Sequence, residues 1–368
     1  MHSEKMLRAL SVQYEMPFED VLFIALNTNG INLGCGYDRM RGELHIDNTK
    51  LCSYATVRGQ LEYYLALPVN SSSSFELRDD ILYLNSERIG HMHDVTEDVC
   101  NSHYFRRQRT ALNMNTNRRT SCHGCEFCYA IYQVPNDSKR LNTAEDLRGF
   151  FTAQLLHYEM EDLSQLVQIS IVTGCYSDGE AVCNTIEAIR KVATEEFGFK
   201  GQIFYLGSQI DDKKYLRRLT AIKPVSLCFS IEAFERRDIL KLNKEAMTIQ
   251  KTIRLMELSR EWGFETSFSY VLGLEPLNVV EKYFSIFSEL VTQFPTVNLL
   301  QVHRKQPYTL YAKDADNLEF YLKARKIIEN AFVNSTLRPI TWANYRSPWI
   351  LKFANEELHG IRTPGTSS

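Results

Sequence analysis

The chain has 368 residues, enough for one large core or for one large and one small domain. Its 44% hydrophobic and 24% charged content is that of an ordinary globular protein, and a formal net charge of −3 gives no ground for expecting a nucleic-acid partner. No apolar run approaches the roughly 20 residues that cross a bilayer, the first residues lack a signal-peptide core, and nine cysteines, odd in number and irregularly spaced, do not make a secreted disulfide scaffold, so a reducing cytoplasm with no membrane partner is the expectation.

Residues 6–14 and 18–26 carry helical patterns, with Pro17 suited to a first turn and Asn27-Thr28-Asn29-Gly30 to a stop. A third helical pattern covers 56–67 and is closed by Pro68. Beyond a serine-rich connector at 70–74, the segments 75–78, 81–85 and 88–93 alternate as short antiparallel strands, with turns at Asp79-Asp80 and Asn85-Ser86. These elements make residues 1–108 a small N-terminal α+β domain: a cap on the remainder of the chain, or a winged-helix-like module that grips a peptide. His91 and His93 share one side of a strand, which suits a metal, although a solvated pair on an exposed strand is the commoner arrangement. Cys35, Cys52 and Cys100 are widely separated and read as packing residues.

Residues 109–335 alternate strand and helix. Strand patterns at 112–116, 167–173, 202–206, 225–231, 267–272 and 297–302 are each followed by a helical one, at 143–158, 179–196, 212–222, 248–262, 279–294 and 318–332. Thr143 is the expected N-cap of the first of these helices. Such alternation means a parallel sheet with crossover helices, and six units predict a partial (β/α)6 TIM-like barrel of the α/β class. Residues 336–368 form a C-terminal extension whose Trp342, Tyr345 and Trp349 are expected to pack over a barrel end, with a loose tail from Gly360.

The most informative stretch lies between the first strand and the first helix. Cys122, Cys125 and Cys128 fall within seven residues, and two-residue gaps let their thiolates converge on one small metal centre. The spacing is that of the first three ligands in a bacterial ferredoxin run, but the fourth cysteine is missing, since Tyr132 stands where it would fall. A 4Fe–4S cluster held by three local thiolates keeps one iron open, the mark of a chemically active site rather than a closed one. Two other readings use the same residues: a structural zinc knuckle completed by His123 or a distant residue, and three unliganded thiols.

This stretch resembles the radical S-adenosylmethionine (SAM) superfamily. Phe127 stands just before the last cysteine, as the aromatic residue does there, and 112–118 looks like the strand that feeds the family's cluster loop. The loop is one residue tighter than the family's, whose three-residue first gap would place the first ligand at Ser121. The resemblance implies a cluster on Cys122, Cys125 and Cys128, SAM bound at the open iron, and a radical released by its reductive cleavage that acts on a substrate inside the barrel.

Active residues of parallel barrels lie at the C-terminal ends of the strands. The second strand ends near Gly174 and Glu180, a loose match to the family motif that binds the SAM amino group, and equally a tight turn before a helix. The third ends at Ser208. The fourth carries Ser230 and Glu232, two apart and so on one face; a ribose or an ammonium group would satisfy a buried Glu232, and a helix cap is the other use. Arg236, Lys241 and Lys244 are candidates for the SAM carboxylate, Lys241 foremost. The fifth strand, with Leu272 before Gly273, looks like the family's apolar segment against adenine. His303 ends the sixth. Arg106, Arg107, Arg109, Arg118 and Arg119 make a basic surround on which an acidic reducing flavodoxin or ferredoxin could dock. No cysteine follows Cys228, which leaves no thiolates for a C-terminal auxiliary cluster and favours a small-molecule substrate. A peptide gripped by the N-terminal domain and a zinc-dependent enzyme on the same barrel are the alternatives.

Overall fold

The structure is a computed structural model. It describes residues 2–34, 36–47, 63–98, 103–107, 109–117, 124–132, 141, 143–172, 174–241, 243–303, 306–340, 343–344, 346–354 and 363–364.

Two helices open the chain. In α1 (Glu4–Gln13) the Ser3 side chain accepts the Met6 N–H. In α2 (Phe18–Asn29) the chain stops at Gly30, whose φ of 72° suits glycine. Every residue of α2 from Glu19 to Asn27 is buried. Five antiparallel strands come next, in the order β2-β1-β5-β4-β3: β1 (Arg39–Ile46), β2 (Tyr63–Pro68), β3 (Phe75–Arg78), β4 (Ile81–Leu84) and β5 (Glu87–Glu97). The two hairpin turns fall where expected, with φ values of 49° and 63° at Asp79-Asp80 and 48° and 71° at Asn85-Ser86, the doubly positive geometry that two-residue hairpins use.

One expected element is corrected. The helical pattern ascribed to 56–67 gives way, in its described part, to strand β2, paired with β1 from Arg39↔Pro68 to Leu44↔Tyr63. A short apolar run such as Tyr63-Tyr64-Leu65-Ala66-Leu67 suits either period, and the partner strand decides. That partner, β1, has its own alternation, with Met40, Leu44 and Ile46 buried and Arg41, Glu43 and His45 more open.

The second sheet is a curled half-barrel. Six parallel strands lie in sequential order: β7 (Ala111–Met114), β8 (Gln168–Val172), β9 (Gln202–Gly207), β10 (Val225–Glu232), β11 (Glu265–Leu272) and β12 (Thr296–Leu299). Antiparallel β6 (Tyr104–Arg106) and β13 (Thr363–Pro364) extend the β7 edge. Helices Ala144–His157, Gly179–Phe197, Lys213–Leu219, Ile249–Glu261, Leu277–Phe287 and Leu318–Ala331 complete the six β/α units. The first begins at Thr143 in a capping box with Asp146. Among the described residues no helix is long and apolar enough to cross a membrane.

The C-terminal extension seals the seam between the first and last strands. The Leu299 N–H donates to the Arg346 carbonyl at 2.9 Å and Asn344 Nδ2 to the Val297 carbonyl at 2.7 Å. From the other edge, Arg106 Nη1 donates to the Ala343 carbonyl at 2.7 Å. Trp349 is buried against Phe294, with ring centroids 5.1 Å apart; Trp342 and Tyr345 lie outside the described residues. Asp20 ties the three regions together. It accepts the N–H groups of Ile350, Leu351 and Lys352 and pairs with Arg325 at 2.9 Å, both side chains fully buried.

Candidate active site

The end of β7 is fixed before the cysteine loop begins. Asn117 Nδ2 donates to the Cys175 carbonyl at 2.5 Å, and the Thr116 hydroxyl bonds the Tyr176 hydroxyl, so the loops after β7 and β8 are laced together. Cys122 and His123 lie outside the described residues. Gly124, at φ 75°, turns the chain into Cys125, and the Cys128 N–H returns to the Cys125 carbonyl at 2.9 Å. The intervening Glu126 is pinned from both sides: its N–H donates to the Ile239 carbonyl at 3.0 Å, and its own carbonyl accepts Gln306 Nε2 at 2.9 Å. Buried Cys125 packs among Leu240, Val271, Leu274 and Leu300, with Phe127 and Cys128 at the edge of the same cluster. Two of the three cysteines thus stand on one tight turn over an apolar floor, an arrangement that fits a metal centre held by thiolates and shielded on one side from water.

Beneath this turn a cavity of about 340 Å³ runs through the half-barrel. Glu232 ends β10 with φ 61°, a left-handed conformation rare for a residue with a side chain, beside a register shift against β11. Its carboxylate accepts Lys244 Nζ at 2.7 Å and Ser230 Oγ at 3.0 Å. Burial alone would raise the Glu232 pKa, but the Lys244 ammonium and the hydrogen bonds from Lys244 and Ser230 outweigh it and hold the carboxyl below its usual range. Burial works against the Lys244 charge as well, yet Glu232, then the Cys125 and Cys175 thiols, keep its pKa above that of an ordinary lysine. Lys244 Nζ also stands 5.9 Å from the Phe127 ring centroid. A permanent cation beside cysteine sulfurs favours their thiolate form.

The opposite wall comes partly from the N-terminal region. Arg39 of β1 pairs with Asp98 at 2.9 Å and extends Nη1 to Gln301 Oε1 at 2.8 Å and His303 Nε2 at 3.0 Å. A guanidinium only donates, so His303 Nε2 accepts and its proton sits on Nδ1. Burial, then the Arg39 and Arg346 charges, push the His303 pKa down to about 2. Tyr129, one residue past Cys128, lies against the His303 ring at 4.3 Å and donates to Asp38 at 3.0 Å.

Several residues singled out in the sequence meet here: Cys125, Phe127, Cys128, Gly174, Glu232, Lys241, Lys244 and His303 all line the cavity. Ser230 backs Glu232. Four others stand elsewhere. Glu180, in the first turn of the helix after β8, is 62% exposed and paired with Arg218 at 2.5 Å, away from the cavity. Ser208 is buried beside Gln209 rather than on the cavity wall. Leu272 faces the helices, and its neighbour Val271 takes the inward place with Ser267 and Ser269, as period two requires. Arg236 spends its guanidinium on the Leu274 and Leu310 carbonyls. Cys175 and Arg39 also line the cavity, and sequence reasoning passes over both. Cys175 belongs to the second strand's end segment, where a position-by-position reading would find it, whereas no signal in the sequence brings a residue of β1 into the barrel.

No protein-family model and no curated protein matches the chain. Among solved structures it is similar to Streptococcus suis SuiB bound to S-adenosylmethionine, at 15% identity and TM-score 0.41 over 61% of this chain and 48% of that one. The same protein bound to its precursor peptide SuiA gives 16% and 0.42, over 61% and 46%. The radical S-adenosylmethionine methyltransferase TsrM from Kitasatospora setae, with cobalamin and a [4Fe-4S] cluster bound, gives 11% and 0.34, over 56% and 37%. The chain thus spans about half the length of SuiB and less of TsrM.

Proposed function

We propose that this chain is a radical SAM enzyme acting on a small molecule held inside the half-barrel. The observation that carries the reading is the turn bearing Cys125 and Cys128 at the C-terminal mouth of β7, over a cavity lined by the buried Lys244–Glu232 pair. Cys122, Cys125 and Cys128 would hold a 4Fe–4S cluster, which would supply the one-electron reduction that SAM cleavage needs.

The remaining parts belong to the protein. Glu232 offers a carboxylate to the SAM ammonium or ribose hydroxyls, with Lys244 and Ser230 fixing its orientation. Glu180 drops out of that role because Arg218 engages it outside. Gly174 lets backbone approach the ligand, Lys241 at the rim suits its carboxylate, and Phe127 and Val271 give it apolar contact. The seam-closing residues Ala343, Asn344, Arg346 and Ser347 and the Arg39–His303 wall keep the reaction space narrow, which excludes water. A cavity of about 340 Å³ lies within the roughly 300–1,000 Å³ of small-molecule sites. Arg107 and Arg109 remain a basic approach for an acidic flavodoxin or ferredoxin.

Anaerobic reconstitution with iron and sulfide tests the assignment. A brown protein with about four irons per chain, reduced to background iron in Cys125→Ala, supports it. Zinc in place of iron in the purified protein, or unchanged iron in the variant, overturns it.

A further inference from the structure

The cavity under the cysteine turn continues down the half-barrel to the start of its strands, and its walls there are polar. Gln168 of β8, Ser267 and Ser269 of β11 and Thr296 of β12 all line it. In closed parallel barrels Val, Ile and Leu fill such inward places. Five lysine and arginine side chains also line the cavity, against one carboxylate, Glu232, among the described residues. Three of the five meet a carboxylate: Arg39 meets Asp98, Lys241 meets Glu126 and Lys244 meets Glu232. Arg346 is the fourth. Arg106, the fifth, is 7% exposed, and its partners among the described residues are neutral acceptors. Nη1 donates to the Ala343 carbonyl at 2.7 Å, and Nη2 to the Tyr104 hydroxyl at 2.7 Å and to Asn113 Oδ1 at 2.8 Å. A guanidinium has five N–H donors, so two of them remain without a partner among the described residues.

A buried guanidinium that meets dipoles but no opposite charge is destabilising, and an anion that reaches it through the cavity offsets this. We propose that the substrate is a small polar acid, a carboxylate or phosphate ester with hydroxyl or amide groups along its length, whose anionic end is held by Arg106. This deepens the radical SAM reading and rests on it for the reaction at the other end of the cavity. The strand register separates the two ends. Arg106 pairs with Ala111, the first residue of β7, and the cysteine loop follows Met114, the last. Three residues of strand at about 3.3 Å each put roughly 10 Å between them. The carboxylate of a SAM molecule bound at the cysteine turn therefore stays near Lys241 at the rim, and Arg106 is left to the second reactant. Gln168, Ser267, Ser269 and Thr296 offer that reactant donors and acceptors in place of an apolar wall. Tyr104 and Asn113 hold the guanidinium from the β6–β7 side and Ala343 from the C-terminal extension, so the closing of the seam and the anion seat are one structure.

Binding is measured without SAM, on the full chain before and after iron loading. Sodium phosphate and sodium acetate are titrated against sodium chloride at constant ionic strength. The readouts are the melting temperature and the arginine Nε–H resonances of the isotope-labelled chain. One resonance, absent from Arg106→Gln, is expected to move saturably, and the melting temperature to rise with it. Both responses are expected to vanish in Arg106→Gln. The anion that binds more tightly names the group: phosphate a phosphate ester, acetate a carboxylic acid. Arg106→Lys, which keeps the charge, identifies the same resonance should Arg106→Gln misfold. An Arg106 resonance that neither anion moves more than chloride does, or a temperature rise that persists in Arg106→Gln, overturns the anion seat. Anion binding with SAM left uncleaved contradicts the radical SAM reading alone, and SAM cleavage without anion binding contradicts this inference alone.

Discussion

Glu232 combines three unusual features in one residue: a left-handed backbone, full burial and an ion pair to Lys244. Such backbone geometry costs about 1–3 kcal/mol and persists where the surroundings over-determine it. Removing its partner exposes the dependence. Lys244→Met leaves a buried carboxylate unpaired and is expected to lower stability by about 3–5 kcal/mol, measured by urea unfolding at neutral pH; Glu232→Gln with Lys244→Met should recover much of that loss. The pH dependence has a definite sign. Glu232 has a depressed folded pKa, so its stabilisation is complete above its ordinary 4.5 and is lost as pH falls below it. His303 acts in the same direction from a higher pH. Its folded pKa near 2 means that only the unfolded chain takes up the proton below about 6.5, so stability declines from there downward. The decline between pH 6.5 and 5 should shrink in His303→Gln, and the His303 imidazole signals should not titrate over that range. At this scale the sequence was readable where a residue ends a strand or sits in a dense motif, as with Cys125 and Glu232. Leu272 shows the limit: choosing it over Val271 required knowing which face of β11 is inward, and a one-residue error reverses the face.

Among the elements, the six β/α units were legible because a short apolar run precedes a longer helical period in each, and every helix but Leu277–Phe287 begins at a capping side chain. Asp178, Asp212, Thr248 and Asn317 all accept hydrogen bonds from first-turn N–H groups of their helices. β2 was not legible, because half its pattern is set by β1, an earlier and separate stretch of the chain. The end of β11 carries a steric constraint beside the site. Gly273 has φ 115°, and a Cβ there would stand 2.7 Å from the Tyr321 hydroxyl and 2.9 Å from Leu300 Cβ. Gly273→Ala should therefore destabilise the chain by about 1–3 kcal/mol, seen as a lower denaturant midpoint. It should also disturb Leu300, which packs in the cluster beneath Cys125. An unchanged midpoint would mean that the strand end relaxes freely.

For the whole molecule, the core runs without interruption from Leu7 in α1 to Ile350 in the C-terminal extension. Asp20 and Arg325 form a fully buried pair at the junction of α2, the last barrel helix and that extension. Asp20→Ala removes one charge and three backbone hydrogen bonds. It should cost about 3–5 kcal/mol and shift one cooperative unfolding transition as a unit; a separate early transition of the N-terminal region would contradict this coupling. Bonds from Arg39 to Asp98, Gln301 and His303 bring a residue of β1 to the cavity wall, which neither composition nor periodicity announces, because it depends on how two sheets dock. The proposal that this cavity serves a radical SAM reaction is tested most directly by mass spectrometry of SAM after anaerobic reduction of the iron-loaded chain. The predicted result is reductant-dependent cleavage, to 5′-deoxyadenosine with methionine or to methylthioadenosine, that vanishes in Cys125→Ala. SAM recovered intact from a reduced chain carrying its full iron complement would contradict the radical SAM assignment.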